Sequence, residues 1–204
     1  METKPKSQKD CYCSYYTYSD AIRDYMVQKL DLYPGLSVLE PCAGDGAFVE
    51  RLIGKGLQII CIDKNPDAVV KLQSNYGREV EILHADTVLD DLDTLAGVLA
   101  LKGLPTLYDR IIANPPYGAW FDYEDRRKLK KRYPGLYVRE SYAVFLVRCI
   151  DLLKPGGRLT FIIPDTWMTL HLHRGLVSTI LEAMLGVSMS QETMHMSQLS
   201  LIHV

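Results

Sequence analysis

The chain has 204 residues, of which 48% are hydrophobic and 24% are charged, with a formal net charge of −2 at pH 7. This length suits one α/β domain with a proper core and is short for two, and the near-zero net charge indicates no particular partner. No apolar run reaches about 18 residues and no hydrophobic signal core follows the N-terminus, so we expect no membrane span and a cytoplasmic protein.

The five cysteines are odd in number and scattered along the chain. This distribution argues against a disulfide framework and predicts reduced thiols. Only Cys11 and Cys13 form a close pair, whereas a structural zinc site needs two such pairs, so no metal is expected.

The predicted elements alternate between strand and helix. Residues 1–14 begin with a polar stretch and are expected to be flexible. Short runs rich in Ile, Leu and Val predict buried strands at residues 36–40, 57–63, 80–86, 108–116 and 157–164. Helical spacing is found over residues 46–54, 66–75, 90–101, 140–153 and 173–186, and residues 199–204 are a candidate last strand. The pattern predicts an α/β fold, a mostly parallel, doubly wound sheet with helices on both faces.

Proline and glycine mark the boundary before the fifth strand. In LLKPGGRL, residues 152–159, they are expected to stop the preceding helix.

The segment after the first strand has the composition of a ligand-binding turn. In VLEPCAGDGAFVERL, residues 38–52, Gly44 and Gly46 separate the strand from an amphipathic helix. Glycines let the backbone approach a ligand, and a helix N-terminus offers unpaired N–H groups. The third small residue of a dinucleotide fingerprint falls on Val49, which disfavours a dinucleotide.

Acidic residues close the first three predicted strands. Glu40 would repel a pyrophosphate but suits the ammonium and sulfonium of S-adenosylmethionine, and Asp63 lies where ribose hydroxyls would be held. Asp86 closes the third strand. Any of these acids could serve only a turn, and Glu40 with Asp45 could be a turn residue and a helix cap. Three acids at successive strand ends favour one shared crevice.

The fourth predicted strand ends in Asn114-Pro115-Pro116-Tyr117. Two prolines make a rigid bracket without N–H donors, so the Asn114 side-chain oxygen and the Pro115 carbonyl are acceptors that can converge on one NH₂ group. Tyr117 offers a flat face for stacking the ring that carries this group. The alternative is an ordinary proline turn with Tyr117 in the core.

The segments EPCAGDGAF, CID, HAD, ANPPYG and LLKPGGRLTFIIPDTWM, in this order over about residues 15–175, resemble the amino-methylating DNA adenine methyltransferases of the Eco57I/TaqI-like group. The resemblance implies a Rossmann-like S-adenosylmethionine-dependent methyltransferase fold over residues 15–204. It also implies methyl transfer to the 6-amino group of a flipped adenine in DNA, as in restriction-modification systems. The implied catalytic residues are Asn114, Pro115, Pro116 and Tyr117, and the implied cofactor-binding residues are Thr17, Glu40, Pro41, Gly44, Gly46, Asp63, Asp86 and Asn114.

Two further positions come from this resemblance. SYYTYSDAIRDYM, residues 14–26, looks like the family's first cofactor segment, in which Thr17 is kept and Tyr18 stands where proline is common. His173 lies near the place where the family often has an aromatic residue that covers the flipped base. A surface helix residue is the alternative for His173.

A basic stretch follows the bracket, in DYEDRRKLKKRYPGLY. Its cations are predicted to contact nucleic-acid phosphates, with a solvated helix next to acidic neighbours as the alternative. The predicted phosphate contacts are Arg126, Arg127, Lys128, Lys130, Lys131 and Arg132.

The family usually carries a separate target-recognition domain, and no segment here resembles one. We therefore expect DNA as the partner, with a separate specificity subunit as a further candidate. Rival functions are methylation of RNA adenine or of a protein glutamine, which the same acceptor pair can serve, and a non-catalytic subunit that binds nucleic acid or a partner.

Overall fold

The computed structural model describes residues 19–118, 121–163, 174–185 and 198–203. Its strands are β1 (Ser37–Glu40), β2 (Gln58–Asp63), β3 (Glu81–His84), β4 (Tyr108–Ala113), β5 (Leu153–Ile163) and β6 (Gln198–His203). Its helices are α1 (Asp20–Lys29), α2 (Val49–Leu52), α3 (Pro66–Tyr76), α4 (Leu92–Leu101), α5 (Tyr123–Arg132), α6 (Ser141–Asp151) and α7 (Arg174–Leu185).

The strands form one parallel sheet in the order β3-β2-β1-β4-β5-β6. The chain builds the sheet outward from β1 to β3, then returns to the other side of β1 with β4. The strand order therefore reverses between β1 and β4. In open α/β sheets, ligands bind at the carboxyl ends of the two strands that flank such a reversal. The pairing of Leu39 with Ile111 aligns the two strands at this reversal.

Alternating side chains of each strand fill two separate cores. Leu39 and Ile111 pack on one face with residues of α4, α5, α6 and α7, whereas Val38 and Ile112 pack on the other with residues of α1, α2 and α3. This is the period of two expected of strands covered on both sides. The predicted parallel α/β fold with helices on both faces is confirmed.

Two predicted boundaries differ from the structure. The helix expected over residues 46–54 is the short α2, because Gly44 and Gly46 have positive φ of 54° and 84° and residues 44–48 form turns. The helix before residues 155–157 stops as expected, but the fifth strand begins at Leu153 and not at residue 157, so it already contains these residues. α6 ends at Asp151, and these residues form an irregularity within β5, whose pairing with β4 jumps from Tyr108–Leu153 to Arg110–Arg158.

A hydrogen-bonded carboxylate joins three strands at the other end of the sheet. Asp109 Oδ2 accepts from the Ser37 backbone N–H at 2.9 Å, from Ser37 Oγ at 2.6 Å and from Lys154 Nζ at 2.9 Å. Burial alone would raise the pKa of Asp109, but these bonds to Ser37 and Lys154 outweigh it and lower the pKa to about 2. Ionised Asp109 therefore stabilises the fold.

Replacing Asp109 by asparagine should lower the free energy of unfolding by about 1–2 kcal/mol at pH 7. Because the pKa in the folded state lies below that of the unfolded chain, this contribution is present above about pH 4 and is lost as the pH falls towards 2. Urea unfolding across this range measures the difference. The control is Asp31→Asn, which breaks an exposed pair with Arg158 and should change stability little. A pH-independent loss at position 109 would contradict the account.

Candidate active site

The turn after β1 is held by hydrogen bonds from the neighbouring strand ends. The Ala43 N–H donates to the Ile62 carbonyl at 3.1 Å, and the Gly44 N–H donates to Asp63 Oδ2 at 2.7 Å. Thr87 Oγ1 donates to the Pro41 carbonyl at 2.6 Å. The loops after β1, β2 and β3 are thus joined at the carboxyl edge of the sheet, beside the reversal of strand order.

Gly46 is required for a second reason besides its positive φ. A Cβ atom at this position would lie 2.6 Å from Cε2 of Tyr76 in α3. The turn therefore packs closely against the helix that follows β2, and a larger residue would force the two apart.

Glu40, the last residue of β1, is a buried carboxyl group at this edge. Its residue is 2% exposed, and its Oε2 has no hydrogen-bond partner within the described part of the chain. Burial raises its pKa well above the ordinary value, and the charge of Asp63 raises it further. A buried carboxyl group without a cation is costly, so the site fits a positively charged ligand group.

The two other predicted acids lie at the same edge and bond to the backbone. Asp63 accepts the N–H groups of Gly44 and Asn65, and burial raises its pKa although these bonds oppose the shift. Asp86 Oδ1 accepts the N–H groups of Val88 and Leu89 at 3.0 Å each. The local turn role considered for Asp86 is therefore present, and all three acids lie at the carboxyl edge of the sheet.

The bracket after β4 is fixed through alternate carbonyl groups. The Asn114 carbonyl accepts from Cys42 Sγ at 3.4 Å, the Pro116 carbonyl accepts from Ser141 Oγ, and the Gly118 carbonyl accepts from the Ser141 N–H at 3.1 Å. These bonds anchor the segment to the loop after β1 and to the N-terminus of α6.

The side chains of Asn114 and Tyr117 are hydrogen-bonded to each other. Tyr117 Oη donates to Asn114 Oδ1 at 3.2 Å, and the half-buried Tyr117 ring lies 6.3 Å from the ring of Tyr142 at an interplanar angle of 47°. The bond orients the carboxamide with its oxygen towards the tyrosine. Asn114 directly follows β4 and Glu40 ends β1, and these are the two strands that flank the reversal of strand order.

The Eco57I restriction-modification methylase family model matches residues 58–187, which include the bracket and the strands on both sides of it. The chain belongs to this family. The predicted resemblance is thus confirmed at the level of the family.

Curated relatives agree with this assignment. Type II methyltransferase M.HincII of Haemophilus influenzae is 24% identical over 177 residues, which cover 84% of this chain and 31% of that protein. Type II methyltransferase M.TthHB8I of Thermus thermophilus is 27% identical over 167 residues, which cover 72% and 33%. This Eco57I-family chain spans about a third of the length of these relatives.

Solved structures support the fold. A modification subunit assigned to a type I restriction enzyme from Vibrio vulnificus aligns with a TM-score of 0.64 and 20% identity over 82% of this chain and 38% of that one. A SAM-dependent O-methyltransferase from Thermotoga maritima aligns with a TM-score of 0.52 and 15% identity over 84% and 52%. The chain thus shares the Rossmann-like fold of this S-adenosylmethionine-dependent methyltransferase, in agreement with its methylase family.

The basic stretch of this family member forms α5. Arg127 pairs with Glu124 at 2.8 Å and Lys128 with Asp125 at 3.7 Å, both on the exposed side of the helix. Lys130 and Lys131 are exposed. The solvated helix with acidic neighbours is therefore observed, and nucleic-acid contact stays a prediction for its cations.

Two arginines of the stretch are bound to backbone carbonyls. Arg126 donates to the Phe121 carbonyl at 2.9 Å. Arg132 donates to the carbonyls of Val88, Leu89 and Asp90 at 2.7, 3.3 and 3.4 Å. Arg132 thus holds the loop after β3, and its contact with a nucleic-acid phosphate stays a prediction.

Four residues named from the sequence lie outside the part of the chain that the structure describes. Thr17 and His173 lie outside the described residues, as do Cys11 and Cys13. Within the described ranges, no group of three or more His, Cys, Asp or Glu side chains could hold a metal ion. No helix in those ranges has the length and apolar character needed to cross a membrane.

Sequence reasoning did not predict the residues that bond the backbone carbonyls of the bracket and of the loop after β3. Ser141 donates to the carbonyls of Pro116 and Gly118, and Cys42 donates to the carbonyl of Asn114. Arg148 is fully buried in α6 and donates to the carbonyls of Thr87 and Asp90 at 2.8 Å each. A lone arginine in the apolar run SYAVFLVRCID was the available signal for Arg148, because a buried charge requires partners.

Replacing Arg148 by methionine should lower the free energy of unfolding by about 2–3 kcal/mol, because two buried carbonyls lose a charged donor. Urea unfolding followed by circular dichroism measures the change. Arg127→Met removes an exposed arginine and should cost less than about 0.5 kcal/mol. A methionine variant at position 148 as stable as the wild type would show that the buried charge does not stabilise this loop.

Proposed function

We propose that this domain transfers a methyl group from S-adenosylmethionine to the 6-amino nitrogen of adenine in DNA. The observation that carries the proposal is the arrangement at the reversal of strand order. The Asn114-Pro115 acceptors follow β4. Glu40 ends the neighbouring strand β1, is buried, and has a side-chain oxygen without a hydrogen-bond partner in the described part of the chain. An acceptor pair for an amino group thus adjoins a site for a cationic cofactor.

The cofactor would lie along the turn after β1. Glu40 would take the ammonium group of S-adenosylmethionine, which supplies the charge that its buried carboxylate requires. Gly44 and Gly46, both with positive φ, shape the turn beside which the cofactor would lie, and Asp63 would contact the ribose. A carboxylate has about four acceptor positions, so the two bonds that Asp63 receives are compatible with this role.

The chemical step needs only orientation of the amino group. Its hydrogens would donate to Asn114 Oδ1 and to the Pro115 carbonyl, which localises the nitrogen lone pair towards the methyl carbon. S-adenosylmethionine would supply the methyl group, the new nitrogen–carbon bond replacing the carbon–sulfur bond with S-adenosylhomocysteine as the leaving group, and the methylated ammonium would lose its proton to water. No strong base is needed, because this ammonium is acidic.

Tyr117 has two roles in this proposal. Its hydroxyl orients the Asn114 carboxamide, and a carboxamide oxygen can accept two hydrogen bonds, so the bond from Tyr117 is compatible with one from the base. Its ring would stack on the adenine, which must leave the duplex because its amino group is paired there.

DNA is the proposed substrate because the family is that of restriction-modification methylases and because α5, which follows the bracket, is rich in exposed cations. The rival substrates are RNA adenine and a protein glutamine, whose amino groups the same acceptors fit. A separate specificity subunit stays a proposal.

The test is transfer of labelled methyl groups from S-adenosylmethionine to DNA, RNA and glutamine-containing peptides in parallel. We expect label in DNA. Preferential labelling of RNA or of peptide would replace the proposal by the corresponding rival. Cofactor binding without transfer to any of the three, even with companion subunits added, would indicate a non-catalytic subunit.

A further inference from the structure

A cavity of about 280 Å³ lies between α5 and residues 136–139. Its lining contains four cations, Arg126, Arg127, Lys130 and Arg139, and none of its described lining residues is acidic. Glu124, which does not line the cavity, pairs with Arg127 at 2.8 Å. The cavity is therefore a concave, positively charged site, unlike the convex surface of an ordinary solvated helix.

Two tyrosines complete this lining. Tyr123 is 72% exposed, and Tyr137 is half-buried on the opposite segment. The buried side chains of Leu136 and Val138 also line the cavity. An exposed aromatic ring next to cations and apolar groups is the combination with which proteins hold unpaired nucleotides, because the ring stacks on a base and the cations contact its phosphate.

The cavity is connected to the bracket on both sides. Arg139 is two residues from Ser141, which bonds the carbonyls of Pro116 and Gly118, and two residues span at most about 7 Å. On the other side, Arg126 donates to the Phe121 carbonyl, three residues after Gly118. Residues that line the cavity are thus within a few positions of the groups that anchor the bracket.

We propose that this cavity, the α5 pocket, binds a nucleoside phosphate, namely one unpaired nucleotide of the DNA strand near the flipped adenine. The inference rests on the proposed function for its choice of DNA. The cavity volume of about 280 Å³ lies just below the lower limit of about 300 Å³ for small-ligand clefts, so the cavity has room for at most one nucleotide. The phosphate contacts Arg127, Lys130 and Arg139, and the base stacks on Tyr123.

The test is fluorescence anisotropy of a short labelled single-stranded oligodeoxynucleotide with the wild-type chain and with Tyr123→Leu, Tyr123→Phe and Arg139→Gln. We expect Tyr123→Leu to weaken binding roughly 5- to 100-fold, Tyr123→Phe to restore it, and Arg139→Gln to reduce the slope of log K against log salt by about 0.7. Tyr33→Leu and Lys55→Gln, which alter an exposed tyrosine and an exposed lysine elsewhere, should have little effect. Circular dichroism confirms folding of each variant.

The outcomes distinguish a free nucleotide from a DNA strand as the ligand. They also distinguish failure of the α5 pocket from failure of the proposed function. Competition by deoxyadenosine monophosphate as strong as that of the oligonucleotide would support a pocket for a free nucleotide, and weak competition supports the DNA strand. Equal binding by wild type and Tyr123→Leu would overturn the pocket, even if Arg139→Gln weakened binding. Oligonucleotide binding that requires Tyr123 in a chain that methylates no adenine would support the pocket while the proposed function fails.

Discussion

Replacing Asn114 by alanine should reduce the rate of methyl transfer to DNA by about 10²- to 10³-fold while leaving S-adenosylmethionine binding within a few-fold of wild type. The variant loses the side-chain acceptor that orients the amino group, whereas the Asn114 carbonyl that bonds Cys42 is kept. Single-turnover transfer of labelled methyl groups measures the rate, and calorimetry measures cofactor affinity.

Tyr117→Phe is the matched control for Asn114→Ala. It keeps the ring but removes the hydroxyl that orients the Asn114 carboxamide, so the rate should fall far less than in the alanine variant. Methylation that persists at the wild-type rate in Asn114→Ala would refute the catalytic assignment. A parallel loss of cofactor affinity would mean that Asn114 acts mainly through cofactor binding.

Replacing Glu40 by glutamine should weaken S-adenosylmethionine binding by at least about 10-fold and at the same time stabilise the ligand-free protein. The first effect follows from loss of the carboxylate that would meet the cofactor ammonium, and the second from removal of a buried group whose pKa is raised by burial and by Asp63. Thermal unfolding with and without the cofactor measures both effects in one experiment.

The pH dependence separates this account from a simple loss of packing. Between the ordinary pKa of a glutamate and the raised pKa of Glu40, the folded protein binds a proton that the unfolded chain has released, so wild-type stability falls as the pH rises. The advantage of Glu40→Gln should therefore be larger at about pH 8 than at about pH 5. A glutamine variant that is less stable at both pH values, or that binds the cofactor normally, would contradict the role of Glu40.

The sequence predicted the sheet well because its strands are covered on both sides. Continuous runs of Ile, Leu and Val mark such strands, and turn residues close them, so β1, β2 and β4 began within one residue of expectation. The acids and the bracket were brought to one edge because parallel strands share their carboxyl ends.

Contacts between distant segments were beyond sequence reasoning. Ser141 donates to the Pro116 carbonyl, 25 residues earlier in the chain, and Arg148 donates to the carbonyls of Thr87 and Asp90, 61 and 58 residues earlier. Because the acceptors are backbone carbonyls, no particular residue type marks them in the sequence. The Pro-Gly-Gly of residues 155–157 was misread because its fit within β5 depends on pairing with β4. Local turn chemistry gives no information on such pairing.

Methylation of the amino group of adenine, in the crevice beside Asn114 and Glu40, is the proposed activity. Its most direct test is to incubate the wild-type chain with DNA and methyl-labelled S-adenosylmethionine, digest the DNA to nucleosides and identify the labelled one. The account predicts label in N6-methyldeoxyadenosine. Label on the 4-amino group or on carbon 5 of cytosine, or on no base although the cofactor is bound, would contradict it.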